Sequence, residues 1–268
     1  MLAQIALRDM PAWLGAAFSV PSSALLLWCL APFVIDWPAF DASAMAIFAA
    51  IGFFYPATVT LLSFESNRVM GPHVAGSIGN LAPLFAVLFA ILVLGEALLP
   101  WQAVGIAAVV GGVMLLSQPA ERDAVRWPIW AIALPLAAAV IRGATQPAIK
   151  LGMALWQDAF AAALFGYTVS AAVLVSVALL RGGGWPRQLE RRAVLRFVGV
   201  GIGHSAGALL MYVALGLRPV TLVAPLVATY PLATLALGFI LLRHEPIGLR
   251  IAAGVGVTLA GVVLLILG

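Results

Sequence analysis

The chain has 268 residues, of which 64% are hydrophobic and 9% charged, with a mean hydropathy of +1.12; a soluble domain carries roughly 25% charged residues. That composition excludes an ordinary water-soluble domain, and apolar runs of twenty residues or more match the length needed to cross a ~30 Å hydrocarbon layer. The net charge of +4 does not point to nucleic acid, because the basic residues stand at the ends of apolar runs, where they act as topology signals.

The first thirteen residues include Arg8 and Asp9 and no apolar core precedes Leu14, so no cleavable signal peptide is expected. Runs bounded by charges, Pro and Gly predict membrane spans over 14–35, 43–64, 74–95, 101–117, 128–145, 159–180, 194–215, 220–242 and 248–268. The connections are short, so consecutive helices are antiparallel neighbours, and within lipid only helices satisfy every backbone polar group of an open chain. The fold class predicted is an all-α integral membrane bundle of about nine helices. Cys29 lies inside the first span, has no second cysteine to pair with, and is expected to be a small core residue.

Several polar side chains interrupt the apolar runs. Tyr55 stands next to Pro56 on the second span, and Asn80 lies three residues before Pro83 on the third. Glu96 closes the third span and is expected to sit at the positive N-terminus of the following helix. Arg142 falls late in the fifth span with Thr145 and Gln146 one turn on, either placing a cation at a cavity mouth or snorkelling to the interface. Tyr167, between Gly166 and Thr168, offers a hydroxyl and an aromatic face. On the seventh span, Gly199, Gly203 and Gly207 recur every fourth position, a smooth face for close helix approach. His204 is a titratable group deep in the same apolar run, where polar side chains face a cavity or a partner. Tyr230 immediately precedes Pro231 on the eighth span. Trp13, Trp37, Trp101, Trp127 and Trp185 mark span ends, as an interfacial belt does.

A self-comparison shows a duplication. A shift of 148 pairs Phe64 with Tyr212, Pro83 with Pro231 and Leu84 with Leu232; a shift of 149 pairs Glu96 with Glu245, Gly105 with Gly254 and Gly112 with Gly261. The first repeat is expected over residues 1–118 with four helices and the second over 127–268 with five. Four spans against five would set the two copies upside down to each other, the inverted-repeat plan of many secondary transporters.

The residues Asn80-Leu81-Ala82-Pro83-Leu84-Phe85 through Leu94-Gly95-Glu96, then Gly105 and Gly111-Gly112, with a second copy at Tyr230-Pro231-Leu232, Glu245, Gly254 and Gly261, resemble the EamA family of the drug/metabolite transporter (DMT) superfamily. The resemblance covers nearly the whole chain and implies ten helices in two five-helix inverted repeats with a substrate cavity between them. This chain departs from that plan by lacking the first helix.

Counting Lys and Arg by alternate connections gives an 11 to 3 split, which puts the N-terminus and the Arg181–Arg196 segment in the cytoplasm. The family resemblance, with cytoplasmic termini on ten helices, puts that segment outside; the charge count is preferred because it belongs to this chain. No Asp or Glu falls near the centre of a span, and neither a phosphate-binding Gly-rich loop nor a catalytic constellation is present in the sequence. The reading is therefore a secondary transporter, not an enzyme, in the inner (plasma) membrane. It would export a small polar or amphipathic metabolite such as an amino acid by alternating access, with substrate bound by Asn80, Tyr55, Tyr167, His204, Tyr230 and Arg142. No cofactor or metal is expected, and partners are the substrate and the bilayer, with a homo-oligomer left open. The alternatives are a partner-dependent membrane subunit and a lipid-handling membrane protein.

Overall fold

The computed structural model describes residues 10–35, 37–117, 127–180, 190–233, 235–236 and 249–267. Among them every regular element is helical. Seven helices are long and apolar enough to cross a membrane: α1 (Ala12–Val34), α2 (Ala42–Met70), α3 (Val74–Leu94), α5 (Ile129–Leu155), α6 (Ala159–Leu180), α7 (Arg191–Leu217) and α9 (Leu249–Leu267). Two shorter apolar helices, α4 (Pro100–Leu116) and α8 (Val220–Ala233), complete the set. Leu25, Phe33, Leu92, Leu180 and Leu267 are exposed, an outer apolar surface that only lipid solvates without cost.

Local sequence sets the helix ends. Asp41 caps α2 by accepting the Ala44 N–H at 2.7 Å, and Asp158 caps α6 by accepting the N–H groups of Phe160 and Ala161 at 2.8 and 2.9 Å. Gly95 ends α3 in the left-handed region at φ +66°, which only glycine adopts without cost.

Three sequence expectations need correction. The fifth span, expected to stop near Thr145, continues through Pro147 to Leu155, since a proline removes one intrahelical bond and the apolar face persists beyond it. Cys29 is exposed rather than core. The face of Gly199, Gly203 and Gly207 is not a close-packed one: among described atoms, nothing lies within 4 Å of a Cβ built at any of the three. The intimate contact on α7 is at Gly201.

The chain forms two compact units that cut across the sequence repeats. One holds residues up to Arg68 together with Ala148–Leu217; the other holds Val69–Pro147 and Arg218–Gly268. Each therefore draws on both repeats.

In the first unit, α1 crosses α7 and α6 crosses α2 by the same contacts. The Ser23 hydroxyl donates to the Gly201 carbonyl at 2.7 Å, and the Ser170 hydroxyl donates to the Gly52 carbonyl. A Cβ at Gly201 would collide with the Ser19 carbonyl, and one at Gly52 with the Gly166 carbonyl. Ser19 and Gly166 each lie four residues before the donating serine. Reciprocal contacts of this kind are the mark of a two-fold axis.

The second unit shows the same reciprocity. Gly105 meets Gly261, and Gly112 meets Gly254 and Thr258. The repeat alignment pairs Gly105 with Gly254 and Gly112 with Gly261, so α4 and α9 run antiparallel although they are copies of one element. The repeats are inverted relative to each other at this seam. Val109, Val110, Val113 and Leu265 seal it.

Candidate functional site

Two helices of the second unit are interrupted at equivalent places. In α3 the helix Pro72–Gly79 gives way to a turn at Asn80 and Leu81 before the helix Ala82–Leu94 resumes; in α8 the turn falls at Ala228 and Thr229. The turns share their backbone bonds: Asn80 to Gly76 and Ala228 to Ala224, Leu81 to Ile78 and Thr229 to Leu226, Leu84 to Leu81 and Leu232 to Thr229. Pro83 and Pro231 explain the breaks, because proline offers no N–H to the turn before it and its ring crowds the carbonyl four residues back. The Tyr230 hydroxyl donates to Asn80 Oδ1 at 3.1 Å, so two polar side chains from different repeats meet at the interruptions. Asn80 is buried, whereas Tyr230 is 53% exposed.

The same unit contains Arg142. Gly143 beside it packs on Ala82, Phe85 and Ala86 of α3, which sets α5 against the segment following the Asn80 turn. Gln146 is on the Arg142 face of α5, one turn on; it is buried, and its Oε1 has no hydrogen-bond partner among the described residues. Sequence reasoning noted Gln146 only as a neighbour of Arg142, and its burial is what singles it out. Glu96 is structural, and it holds partners on the other repeat. Its two carboxylate oxygens accept the N–H groups of Val220 and Thr221 at 2.9 Å each, capping α8 of the other repeat.

The first unit gathers Tyr55, Tyr167 and His204. Tyr55 lies at a kink in α2, within Phe53–Thr58, with extended angles of φ −133° and ψ 126°, the region that a following proline imposes. Its hydroxyl is 3.4 Å from His204 Nε2, in hydrogen-bond contact. The His204 ring stands edge-on to both tyrosines, with centroids 6.2 Å from Tyr55 and 6.3 Å from Tyr167. Both tyrosines are buried, His204 is exposed, and the Tyr167 hydroxyl has no hydrogen-bond partner among the described residues. Beside this cluster, Trp28 Nε1–H donates to Thr168 Oγ1 at 3.0 Å. Tyr55 and His204 each lie three residues after a crossing glycine, Gly52 and Gly201. They are thus repeat-equivalent positions that touch each other, which puts their contact on the local two-fold axis.

Of the six side chains expected to bind substrate, the structure brings three together in one unit and two in the other. Arg142 stands on the helix that packs beside the Asn80 turn. No described group of His, Cys, Asp or Glu could hold a metal ion.

A multi-pass helical membrane protein whose two repeats are inverted at their seam, with paired interrupted helices carrying polar side chains, has the architecture of the secondary carriers. Comparison with known proteins makes this specific. The model of the EamA-like transporter family matches residues 1–118 and 129–267; the chain belongs to that family, within the DMT superfamily. A solved structure described only as the crystal structure of a protein superposes with a TM-score of 0.75 at 19% identity, covering 99% of this chain and 90% of the other. That likeness establishes the shared fold. No curated protein matches the chain.

Proposed function

We propose that the chain is a secondary transporter of the inner membrane that exports a small polar or amphipathic metabolite, such as an amino acid or a related compound, by alternating access. The observation that carries this reading is the paired interruption of α3 and α8 at Asn80 and Ala228. Broken helices free backbone groups at membrane depth, and that is tolerated where they are buried in protein or line a wet path. Tyr55, Tyr167 and His204 would form one polar face toward substrate and Asn80 with Tyr230 another, while Arg142 supplies a permanent cation. The unpartnered Tyr167 hydroxyl is suited to a ligand hydrogen bond, since a buried hydroxyl without one costs about 1–3 kcal/mol.

The test is flux of a panel of radiolabelled amino acids and related metabolites in proteoliposomes, comparing the native chain with His204→Ala and Asn80→Ala. Transport of at least one compound by the native chain, reduced in both variants, is the expected result. Flux equal in both variants to that of the native chain removes these residues from the site, and no flux for any compound overturns the export reading.

A further inference from the structure

The two helix crossings of the first unit are copies, yet only one of them lies beside a broken helix. Between the crossing glycine and the aligned aromatic residue, α2 has one residue more than α7, counted from Gly52 to Phe64 and from Gly201 to Tyr212. An extra residue in a helix of fixed ends must leave the regular helical repeat, and it does so at the kink within Phe53–Thr58, where Tyr55 is extended.

The break leaves backbone groups that the helix itself does not satisfy, and several have traceable partners. Pro56 has no N–H to give the Gly52 carbonyl. The Phe53 carbonyl accepts the Thr58 hydroxyl at 3.2 Å, and the Phe54 carbonyl accepts the Val59 N–H. Ser170 serves two more, the Gly52 carbonyl and the Ala57 N–H: its hydroxyl donates to Gly52 and accepts from Ala57 at 3.2 Å. Ser170 is fully buried on α6, three residues beyond Tyr167. One side chain therefore spans the break on both sides of Tyr55. Its repeat mate Ser23 donates to Gly201 in the same way but faces an unbroken α7.

From this we infer that Ser170 is a positioning residue: by bridging Gly52 and Ala57 it fixes the broken segment of α2 and so holds the Tyr55 hydroxyl against His204. The inference rests on the proposed function only in treating Tyr55 and His204 as substrate-facing. The broken-helix device is specific to one of two otherwise equal crossings, so Ser23 is a built-in control. Ser170→Ala and Ser23→Ala delete equivalent interhelical hydrogen bonds, but only Ser170→Ala should disturb Tyr55.

The test uses the full chain in a His73→Gln, His244→Gln background, which leaves His204 as its one remaining histidine of three, labelled with 15N-histidine. The Nε2 chemical shift of His204 reports its contact with Tyr55, and Tyr55→Phe supplies the reference for loss of that contact. Ser170→Ala should move the shift to the Tyr55→Phe position, and Ser23→Ala should leave it at the native one. Ser170→Cys, with a weak donor and acceptor at the same place, should fall between. A native shift in Ser170→Ala, or equal movement in Ser170→Ala and Ser23→Ala, overturns the inference. Because nothing transported is measured, failure of the transport reading leaves this result standing, and the reverse also holds.

Discussion

Alanine at single glycines of α7 separates two views of that helix. At Gly201 a Cβ would overlap the Ser19 carbonyl and come within 2.6 Å of Ser22 Oγ. A backbone carbonyl cannot rotate away, so α1 and α7 must part. Such overpacking costs about 1–3 kcal/mol, and parting the helices also weakens the Ser23–Gly201 hydrogen bond, worth about 1 kcal/mol. The better helix propensity of alanine returns up to about 1 kcal/mol, leaving a net loss of about 1–3 kcal/mol. At Gly199 and Gly207 the added methyl meets nothing among described atoms, so only the propensity gain of about 0.5–1 kcal/mol remains. Residues on one helix should therefore respond with opposite signs. The assay is unfolding of the purified chain in mixed micelles titrated with dodecyl sulfate, followed by far-ultraviolet circular dichroism. Gly52→Ala, at the equivalent crossing, should also lose stability, because its Cβ would overlap the Gly166 carbonyl. A loss in Gly199→Ala and Gly207→Ala as large as in Gly201→Ala would refute the face assignment and restore the fourth-residue glycine stripe as the packing surface.

Glu96→Ala removes both acceptors at the start of α8 and should cost about 1.5–3 kcal/mol, the range for hydrogen bonds to a charged group, whereas Glu96→Gln keeps one oxygen and should lose about half; unfolding in the same micelles compares them. In Tyr230→Phe the donor to Asn80 is gone but the ring remains, so stability should change by less than about 1.5 kcal/mol while the transported compound's KM rises. An unchanged KM would confine Tyr230 to packing. An alkaline phosphatase fused after Arg187 should be inactive if the charge asymmetry orients the chain as expected, because that enzyme matures only outside the cytoplasm; an active fusion would favour the opposite orientation.

Span positions were legible because burial in lipid is read directly from apolar length: 159–180 matches α6 to the residue, the other spans agree within a few residues apart from the ends of α2 and α5, and the end expected for the eighth span at 242 lies outside the described residues. The end of α5 differs because Gln146 and Pro147 read as a boundary in the sequence. A proline seldom continues a helix in water, but within a bundle neighbouring groups compensate the freed carbonyl. Tyr55, Asn80, Tyr167, His204 and Tyr230 stood out because a polar group in an apolar run is conspicuous. Ser170 did not, since serine is common in membrane helices and its meaning depends on a broken strand of hydrogen bonds in another helix. Its only sequence trace was the pairing with Ser23, which the repeat comparison did not reach. Gln146 was likewise hidden, because burial of an unpaired oxygen is a property of packing. Glu96 was recognised as a cap, but the helix it caps lies more than a hundred residues away, a distance that local capping rules do not span.

The duplication explains why residues so far apart in sequence converge. In an inverted pair, a position on one copy meets its own equivalent only at the two-fold axis, and Tyr55 with His204 is such a meeting in the first unit. Two copies of one ancestral side chain would have given that axis a symmetric pair, equally suited to either orientation of a ligand. The chain holds a phenol and an imidazole there instead, one on a broken helix and one on a continuous helix. Under the proposed function a ligand at this position would be offered different chemistry by each repeat, and the extra residue in α2 makes the difference geometrical as well as chemical. Symmetry supplies the scaffold on which the helices cross; the departure from symmetry at Tyr55 is where discrimination between ligands can be built.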